Sequence, residues 1–376
     1  MRVALDGTPL LGRRTGIGRY TEHLLAALAG RGDLTVSATA FTTRGAGALP
    51  AAVAPGVATR SLPVPARLLR AVWSHLEVPP VGLFSGRADV FHATNFVLPP
   101  TGRAGGVVTI HDLAYLTMPD AVDATSRALR ELVPRSLARA AVVCTPSRAI
   151  ADQVLDAYGP AIRELIVTPL GVEPSWLEVA APDDDRRRTL GVPQDYFVFV
   201  GTREPRKDLA TLVTAYATFR DGWERSGSTT SCGDDPPELV LVGPQGWAAE
   251  QQPAAGVRLL DYAAPEALRS IVAGACALVM PSRDEGFGLP VLEGLATGTA
   301  VIISTVPALL EVAGGHAAVF GVGDADALAA ALWRVALPVA ESDSEQVRTE
   351  RRAYAAGWTW QRCAEATVRA YRAAAG

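Results

Sequence analysis

Short apolar runs alternate with longer segments of helical periodicity along the whole chain. Between the runs, apolar residues recur at the three- and four-residue spacing of amphipathic helices, as in Ile17–Ala29, Ser126–Ala138 and Ser147–Tyr158. Strands that alternate with helices in this way predict parallel sheets, so the fold class is α/β. In the first half the predicted strands are Val3–Leu5, Thr35–Phe41, Val90–His92, Val107–Ile110, Val142–Cys144 and Leu165–Thr168.

The acidic, proline-containing segment 173–185 interrupts this alternation and is predicted as a linker. A chain of 376 residues is too long for one ordinary core. We therefore expect two Rossmann-like domains, 1–175 and 176–358, with parallel sheets facing a central cleft, and a terminal helix in 359–376. The second series of strands is Tyr196–Val200, Leu239–Val242, Val257–Leu260, Ala277–Met280, Ala300–Ile303 and Ala318–Phe320.

Composition and charge narrow the classes of protein. The chain is 49% hydrophobic and 20% charged, as soluble globular proteins are. Its net charge is −4 and it has no Lys/Arg-rich run, which disfavours nucleic-acid binding. Met1–Asp6 has the pattern of a strand rather than of a signal peptide, and the longest uncharged stretch, 294–310, is broken by Gly298 and Pro307. These features predict a cytoplasmic protein.

Two glutamates flank a predicted turn between a strand and a helix. The strand Ala277–Met280 ends just before Glu285, and Pro290 is suited to the first turn of a helix. Glu293 would then lie about one turn inside that helix. Both carboxylates can face the same crevice, where they could bind hydroxyl groups, transfer protons or hold a metal.

The residues between these glutamates favour a close approach of ligand. Gly286 and Gly288 have no side chain to obstruct one, and backbone N–H groups near Leu289 would face it at the positive end of the helix. The segment therefore suits a polyol joined to a diphosphate.

Lys207 is the only lysine in the chain. It follows Arg206 in a loop that begins at Gly201, where a strand ends and a helix begins. Two cations at a helix start are unfavourable unless an anion binds there, so the pair suits a diphosphate. The loop lacks the second Gly and the Ser/Thr of a Walker sequence, which disfavours an ATPase. The alternatives are chance and a solvated pair of side chains.

A loop of small residues, Thr15–Tyr20, follows the first strand and opens the first helix. It has the first two glycines of a dinucleotide fingerprint, but Thr21 stands where the third would be. A dehydrogenase is therefore disfavoured. Gly16 is the residue we expect closest to a bound phosphate, and the alternative is a plain tight turn.

Histidines follow two of the predicted strands. His111 precedes Asp112 at the carboxyl edge of its strand, where ligands of α/β proteins bind. It is a candidate functional residue, although a structural histidine oriented by Asp112 is the alternative. His92 has no comparable support.

No metal site is predicted. The four cysteines are scattered, and the acidic clusters Asp183–Asp185 and Asp324–Asp326 are interpreted as linker and helix cap. An arginine-rich helix around Arg127 and Arg139 favours a solvated amphipathic helix, but contact with anionic lipid or an acceptor phosphate stays open.

Taken together, five segments resemble the retaining glycosyltransferases of family 4, which have the GT-B fold. The resemblance implies that domain 1–175 binds the acceptor, that domain 176–358 binds the nucleotide sugar, and that 359–376 crosses back to the N-terminal domain. The five segments span nearly the whole chain: Thr15–Tyr20, Thr109–Leu113, Gly201–Lys207, Leu241–Pro244 and Glu285–Glu293.

The resemblance also implies a role for each motif residue. Glu285 would bind hydroxyls of the donor sugar and Glu293 those of the ribose. Arg206 and Lys207 would neutralise the diphosphate, and His111 would contact the donor sugar near the reacting carbon. The predicted catalytic residues are His111, Arg206, Lys207 and Glu285. The remaining predicted donor-binding residues are Gly16, Gly201, Gly286, Phe287, Gly288, Leu289 and Glu293.

The expected activity is metal-independent transfer of a hexose, with retention, from a nucleoside diphosphate to an acceptor hydroxyl. The resemblance points first to GDP-mannose and next to UDP- or dTDP-linked hexoses, with no further cofactor. The acceptor, whether a glycan, a lipid-linked or a small molecule, stays open, as does contact with a membrane. The alternatives are another GT-B activity, such as a phosphorylase or nucleotide-sugar epimerase, and a non-catalytic protein that binds nucleotide sugars.

Overall fold

The computed structural model describes the chain except for residues 13, 15, 43–45, 63, 65, 74–75, 227–234, 247–253 and 338–343. The described chain forms two compact units. Unit 1 consists of Met1–Pro119, Ala124–Gly171 and Thr359–Gly376, and unit 2 of Asp120–Asp123 and Val172–Trp358.

The sheet of unit 1 contains seven parallel strands in the described residues, in the order β3-β2-β1-β4-β5-β6-β7. Its central strands are buried on both faces, which is why they are continuous apolar runs. The strands are β1 Arg2–Asp6, β2 Thr35–Phe41, β3 Ala58–Leu62, β4 Val90–Ala93, β5 Gly105–Thr109, β6 Val142–Thr145 and β7 Leu165–Val167. The helices are α1 Gly16–Ala29, α2 Leu49–Ala52, α3 Ala66–Trp73, α4 Gly82–Ser85, α5 Ala114–Thr117, α6 Ala124–Arg127, α7 Leu129–Arg139 and α8 Arg148–Tyr158.

Unit 2 has a second parallel sheet, six strands in the order β10-β9-β8-β11-β12-β13 within the described chain. Two parallel α/β sheets were predicted, and both are confirmed. The strands are β8 Tyr196–Val200, β9 Glu238–Val242, β10 Val257–Leu260, β11 Ala277–Met280, β12 Ala300–Ser304 and β13 Ala318–Phe320. The helices are α9 Pro174–Leu177, α10 Asp184–Leu190, α11 Leu209–Ser226, α12 Pro265–Ala273, α13 Leu289–Thr297, α14 Pro307–Ala313, α15 Ala325–Ala336 and α16 Glu345–Ala356.

The last helix, α17 Trp360–Ala375, belongs to unit 1. Thr359 caps it by accepting a hydrogen bond from the Arg362 N–H, and its apolar face packs on α1 and on the sheet beside β5 and β6. Immediately before it, the chain returns to the start of unit 2, where the Val172 N–H donates to the Trp358 carbonyl (2.9 Å). The main segment of unit 2, Val172–Trp358, thus begins and ends at neighbouring positions.

Three predictions about local structure are wrong. The segment predicted as a linker, 173–185, contains helix α9 and the start of α10, and it buries Trp176. Asp183 caps α10 by accepting from the Arg186 N–H, so its carboxylate completes a helix end. The helix expected at Ser126–Ala138 is divided between α6 and α7, and strand β3 had not been predicted.

Candidate active site

The functional loops of unit 2 meet because two neighbouring strands end at the same sheet edge. Strands β8 and β11 pair in parallel, so the loops that follow Val200 and Met280 leave the sheet side by side. Gly201 begins the first loop, and its N–H donates to the Val242 carbonyl (3.0 Å). The loops are also tied directly, since the Arg283 N–H donates to the Arg206 carbonyl (2.8 Å).

Glu285 lies at the centre of a buried cluster of charges. Its Oε1 accepts from Lys207 Nζ (2.5 Å) and from Ser282 Oγ (2.9 Å), and its Oε2 accepts from Arg206 (3.2 Å). Only 6% of Glu285 and 8% of Lys207 is exposed. Arg206 also contacts Glu204 at 2.5 Å. The predicted glutamate and both predicted cations are therefore brought into direct contact, across 78 residues of sequence.

Burial and the neighbouring opposite charges shift the pKa values in this cluster in opposite directions. Burial raises the pKa of the Glu285 carboxyl, but Lys207 and Arg206 lower it by more, so its pKa lies below the ordinary value. Burial and the neighbouring Arg206 lower the pKa of the Lys207 ammonium, against the opposing effect of Glu285 and Glu204. A further anion beside Lys207, such as a phosphate, would favour its charged form.

Helix α13 begins beside the cluster, as the sequence predicts. Gly288 is its N-cap at φ +100°, and a Cβ there would lie 2.6 Å from a methyl group of Leu309. Pro290 in the first turn has no N–H, and the Val291 N–H donates to the Gly288 carbonyl (2.9 Å), so the Leu289 N–H is the donor of this turn that suits an anion. Glu293, also in α13, is 1% exposed.

The other predicted residues of this segment adjoin the cluster. Gly286 and Phe287 connect Glu285 to the helix, and the Phe287 ring packs against Trp358 with centroids 5.7 Å apart. Leu289 is the first residue of α13 and is buried. Phe287 therefore has a packing role that the sequence did not reveal.

Sequence reasoning missed four residues of this site. Glu204 and Asp208 are buried; Asp208 adopts a positive φ of 50° and pairs with Arg283 (2.9 Å). Ser282 is fully buried on Glu285. The acidic residues on either side of Arg206 and Lys207 were a signal that the cations of this loop are paired, since Glu204 pairs with Arg206 and Asp208 with Arg283.

His111 lies in unit 1, after β5. Its Nε2 is hydrogen-bonded to the Thr94 carbonyl (2.7 Å), which requires that nitrogen to carry the proton. Burial lowers the pKa of the ring despite the opposing effects of that carbonyl and of Asp112, so His111 is neutral near pH 7. Tyr20 and Phe96 pack edge-on against it at 5.0 and 5.7 Å.

His92 belongs to a buried chain of neutral hydrogen bonds below His111. Its Nδ1 is bonded to Tyr371 Oη (2.8 Å) and its Nε2 to Thr109 Oγ1 (2.7 Å), and Thr109 is bonded in turn to Tyr20 Oη (3.0 Å). Burial and His111 lower the pKa of His92 to about 3. Both nitrogens are occupied by structural partners, so His92 fixes α17 to the sheet.

Gly16 is the exposed first residue of α1, while Thr15 before it lies outside the described residues. The second glycine of the same motif has a packing reason, since a Cβ on Gly18 would lie 2.8 Å from the Pro9 carbonyl oxygen. The polar segment 225–237, whose Ser, Gly and Pro residues are typical of a loop, also lies mostly outside the described residues.

The described residues lack both a metal cluster and a membrane-spanning helix. They contain no group of three or more His, Cys, Asp or Glu side chains arranged to hold a metal ion. None of their helices combines the length and the apolar character that crossing a membrane requires.

Comparison with known proteins places both halves of the chain. The family model described as "Glycosyl transferase 4-like domain" matches residues 15–171, and that of "Glycosyl transferases group 1" matches 194–336. The O-antigen chain mannosyltransferase B of Escherichia coli is 28% identical over 300 residues, covering 75% of this chain and 74% of that protein.

A second relative is aligned over a shorter region. The D-inositol 3-phosphate glycosyltransferase of Kineococcus radiotolerans is 30% identical over 247 residues, covering 59% of this chain. The chain spans about half of that relative, 54% of its length.

Solved structures share the fold over the whole length. Sucrose-phosphate synthase from Thermosynechococcus elongatus superposes with a TM-score of 0.72 at 19% identity, covering 99% of this chain and 98% of that one. HepE of Anabaena, solved with UDP and glucose, has a TM-score of 0.68 at 15% identity, with 98% of each chain covered. These likenesses concern the arrangement of the backbone.

Proposed function

Because the chain belongs to the group 1 glycosyltransferases, with a glycosyltransferase 4-like N-terminal half, we propose that it transfers a hexose from a nucleoside diphosphate to an acceptor hydroxyl. We propose mannose from GDP-mannose as the first donor, with UDP- and dTDP-linked hexoses next. The similarity to a mannosyltransferase supports that order.

The observation that carries the proposal is the placement of Lys207. The chain's only lysine is buried, bonded to Glu285, and next to the loop that opens α13. Transfer breaks the bond between the anomeric carbon and a phosphate oxygen, which leaves negative charge on the diphosphate. Lys207, Arg206 and the Leu289 N–H at the start of α13 are suited to stabilise that charge, and the proposed reaction uses no metal.

The carboxylates have a different proposed role. Since Glu285 is held anionic by two cations, it is a poor proton donor and a good acceptor of hydrogen bonds from sugar hydroxyls. Glu293 is proposed to bind the ribose. In unit 1, neutral His111 is proposed to contact the donor sugar near the reacting carbon.

The proposed reaction proceeds with retention and without a covalent intermediate on the protein. The acceptor oxygen forms the new bond to the anomeric carbon on the face from which the diphosphate leaves. The acceptor's proton passes to the leaving phosphate oxygen on the same face. The protein's part is to position both partners and to hold the charge of the leaving group.

A donor panel tests the proposal. GDP-mannose, UDP-glucose and dTDP-glucose are compared by thermal shift and by sugar transfer, and a bound donor raises the apparent melting temperature. We expect GDP-mannose to give the largest shift, and Lys207→Ala to abolish both the shift and transfer. Arg220→Ala, which removes an exposed partner of Glu224 in α11, is the matched control and should behave as wild type.

Three outcomes would contradict the proposal. Normal turnover by Lys207→Ala would remove the role of the lysine, and loss of transfer in EDTA would remove metal independence. Epimerised sugar, or phosphate-dependent cleavage of the donor in the absence of acceptor, would assign another GT-B activity.

A further inference from the structure

A small cavity lies in unit 1 at the point where the order of strands in the sheet reverses. Strands β2 and β3 lie on one side of β1 and β4 lies on the other, so loops after β1 and β4 diverge and leave a crevice at their carboxyl ends. The cavity is about 110 Å³ in volume and is lined by Asp6, Thr8, Pro9, Phe41, Trp73, Asn95, Val97 and Pro99.

Part of its wall is aromatic. Phe41 and Trp73 pack edge-to-face with centroids 5.4 Å apart, and Phe84 supports both at 5.9 and 6.1 Å. Trp73 Nε1 donates to the Pro79 carbonyl (2.9 Å), so the indole has already satisfied its one donor. These side chains present apolar surface of the kind that packs against the C–H groups of a ring.

The remaining wall is polar. Asp6 ends β1 and its Oδ1 accepts from the Thr8 N–H (2.9 Å), which holds the carboxylate in place. Asn95 is the only asparagine in the chain, just as Lys207 is the only lysine. In the described part of the chain, its buried Oδ1 has no hydrogen-bond partner. A side-chain amide offers both donors and an acceptor, which suits neighbouring hydroxyl groups.

The loop that carries Asn95 also holds His111. His111 is bonded to the carbonyl of Thr94, and Phe96 packs on its ring. Phe96 adopts φ +57°, which side chains with a Cβ rarely take, and the Val97 N–H donates back to the Asn95 carbonyl (2.6 Å). The strained turn therefore joins the cavity to the histidine proposed to contact the donor sugar.

We infer that this cavity is a subsite for an uncharged, hydroxylated ring of the acceptor. The inference rests on the proposed function and adds the chemical class of the acceptor. A volume of about 110 Å³ is that of a small site, which suits one ring and is too small for a nucleotide. Asp6 is the one charged side chain among the described lining residues, so an acceptor phosphate is disfavoured.

Direct binding tests the subsite. Methyl α-mannopyranoside and mannose 6-phosphate are titrated into the full chain in the presence of GDP, and binding is measured by saturation-transfer NMR. We expect the neutral glycoside to bind more tightly. Asn95→Ala should weaken its binding at least tenfold, while Asp6→Asn should improve the binding of mannose 6-phosphate at least threefold by removing the negative charge.

Gln153→Ala is the matched control. It removes another side-chain amide whose buried oxygen has no partner in the described chain, but it lies on α8 rather than in the cavity. Binding of the glycoside by this variant should stay within twofold of wild type. Equal weakening by Asn95→Ala and Gln153→Ala would overturn the subsite.

The proposed function and the subsite fail separately. Tighter binding of mannose 6-phosphate than of the glycoside by wild type, or unchanged binding by Asn95→Ala, would overturn the subsite even if transfer is observed. The absence of a thermal shift and of transfer with every donor would overturn the proposed function, whereas the glycoside titration would still decide whether the cavity holds a neutral ring.

Discussion

The two units have the same architecture but bury polar groups in opposite ways. At the carboxyl edge of its sheet, unit 2 buries full charges, with Lys207, Arg206 and Glu285 in direct contact. Unit 1 buries neutral groups instead, joining His92 through its ring nitrogens to Thr109 and Tyr371. The two units thus share a fold that brings polar groups together. The types of side chain determine whether those groups form a charged cluster, as in unit 2, or a neutral hydrogen-bonded network, as in unit 1.

The difference has an energetic reason. Buried ions cost several kcal/mol each to desolvate, and a charge cluster offsets this only while every partner is present. A neutral chain of hydrogen bonds costs less to bury and is fixed in geometry once each donor and acceptor is satisfied. The charges of unit 2 therefore call for a reason beyond stability, and the proposed binding of a diphosphate would supply one.

The largest expected effect comes from replacing the charge pair by a neutral one. Lys207→Met alone leaves Glu285 buried without its closest cation and should lower the free energy of unfolding by about 3–5 kcal/mol. Adding Glu285→Gln should recover most of that loss. Transfer should stay at least ~1000-fold below wild type in the double variant, since neither neutral side chain stabilises the charge that develops on the diphosphate.

Urea unfolding measures the free energy of unfolding, and initial rates measure transfer, so the two effects are determined separately. If the double variant recovers activity together with stability, the cluster is structural and the distinction between the two units disappears.

A smaller effect on the free energy of unfolding is expected from lowering the pH, and it acts through His92 in unit 1. The folded-state pKa of His92, about 3, lies below its ordinary value. Between pH 6.5 and 3 the unfolded chain binds a proton that the folded chain does not, so this contribution is present above pH 6.5 and is lost as pH falls. His92→Gln removes it.

The unfolding free energy of His92→Gln relative to wild type gives the measurement. The deficit of the variant should shrink by roughly 3 kcal/mol between pH 7 and pH 4.5, at about 1.4 kcal/mol per pH unit. A deficit that is constant with pH would show that His92 has the same pKa in the folded and the unfolded chain.

The smallest effect is expected at Tyr371, whose hydroxyl is the last member of the series of neutral hydrogen bonds around His92. Tyr371→Phe removes one hydroxyl and leaves His92 Nδ1 without that partner, which should cost about 1–3 kcal/mol of unfolding free energy. Tyr262→Phe, at a half-exposed ring in unit 2, should cost almost nothing. Donor affinity measured by titration should be unchanged in both, and a loss in Tyr371→Phe would extend the donor site into the neutral region.

Much of the fold could be predicted because buried parallel strands are apolar throughout. Strand β3 escaped prediction because it is an edge strand of alternating small and polar residues, Ala58–Leu62, paired on one side by β2. The helices of 173–185 escaped because prolines and acids, which favour loops, are also the residues that begin helices.

The candidate site could be predicted only in part. Motif residues such as Glu285 and Lys207 were found from their types and neighbours, and their roles stay predictions. Their mutual contact depends on which strands are adjacent, and that order is not written in local sequence. The bond between His92 and Tyr371 joins residues 279 positions apart, and no local pattern indicates it.

The neighbouring ends of unit 2 make this chain suited to modular exchange. The main segment of unit 2, Val172–Trp358, is inserted between β7 and α17, and its first and last residues are hydrogen-bonded to each other. A chimaera could replace 172–358 with the corresponding segment of a related enzyme without cutting the sheet of unit 1. Under the proposed function, in which unit 2 binds the diphosphate, the exchanged segment would carry the donor preference with it.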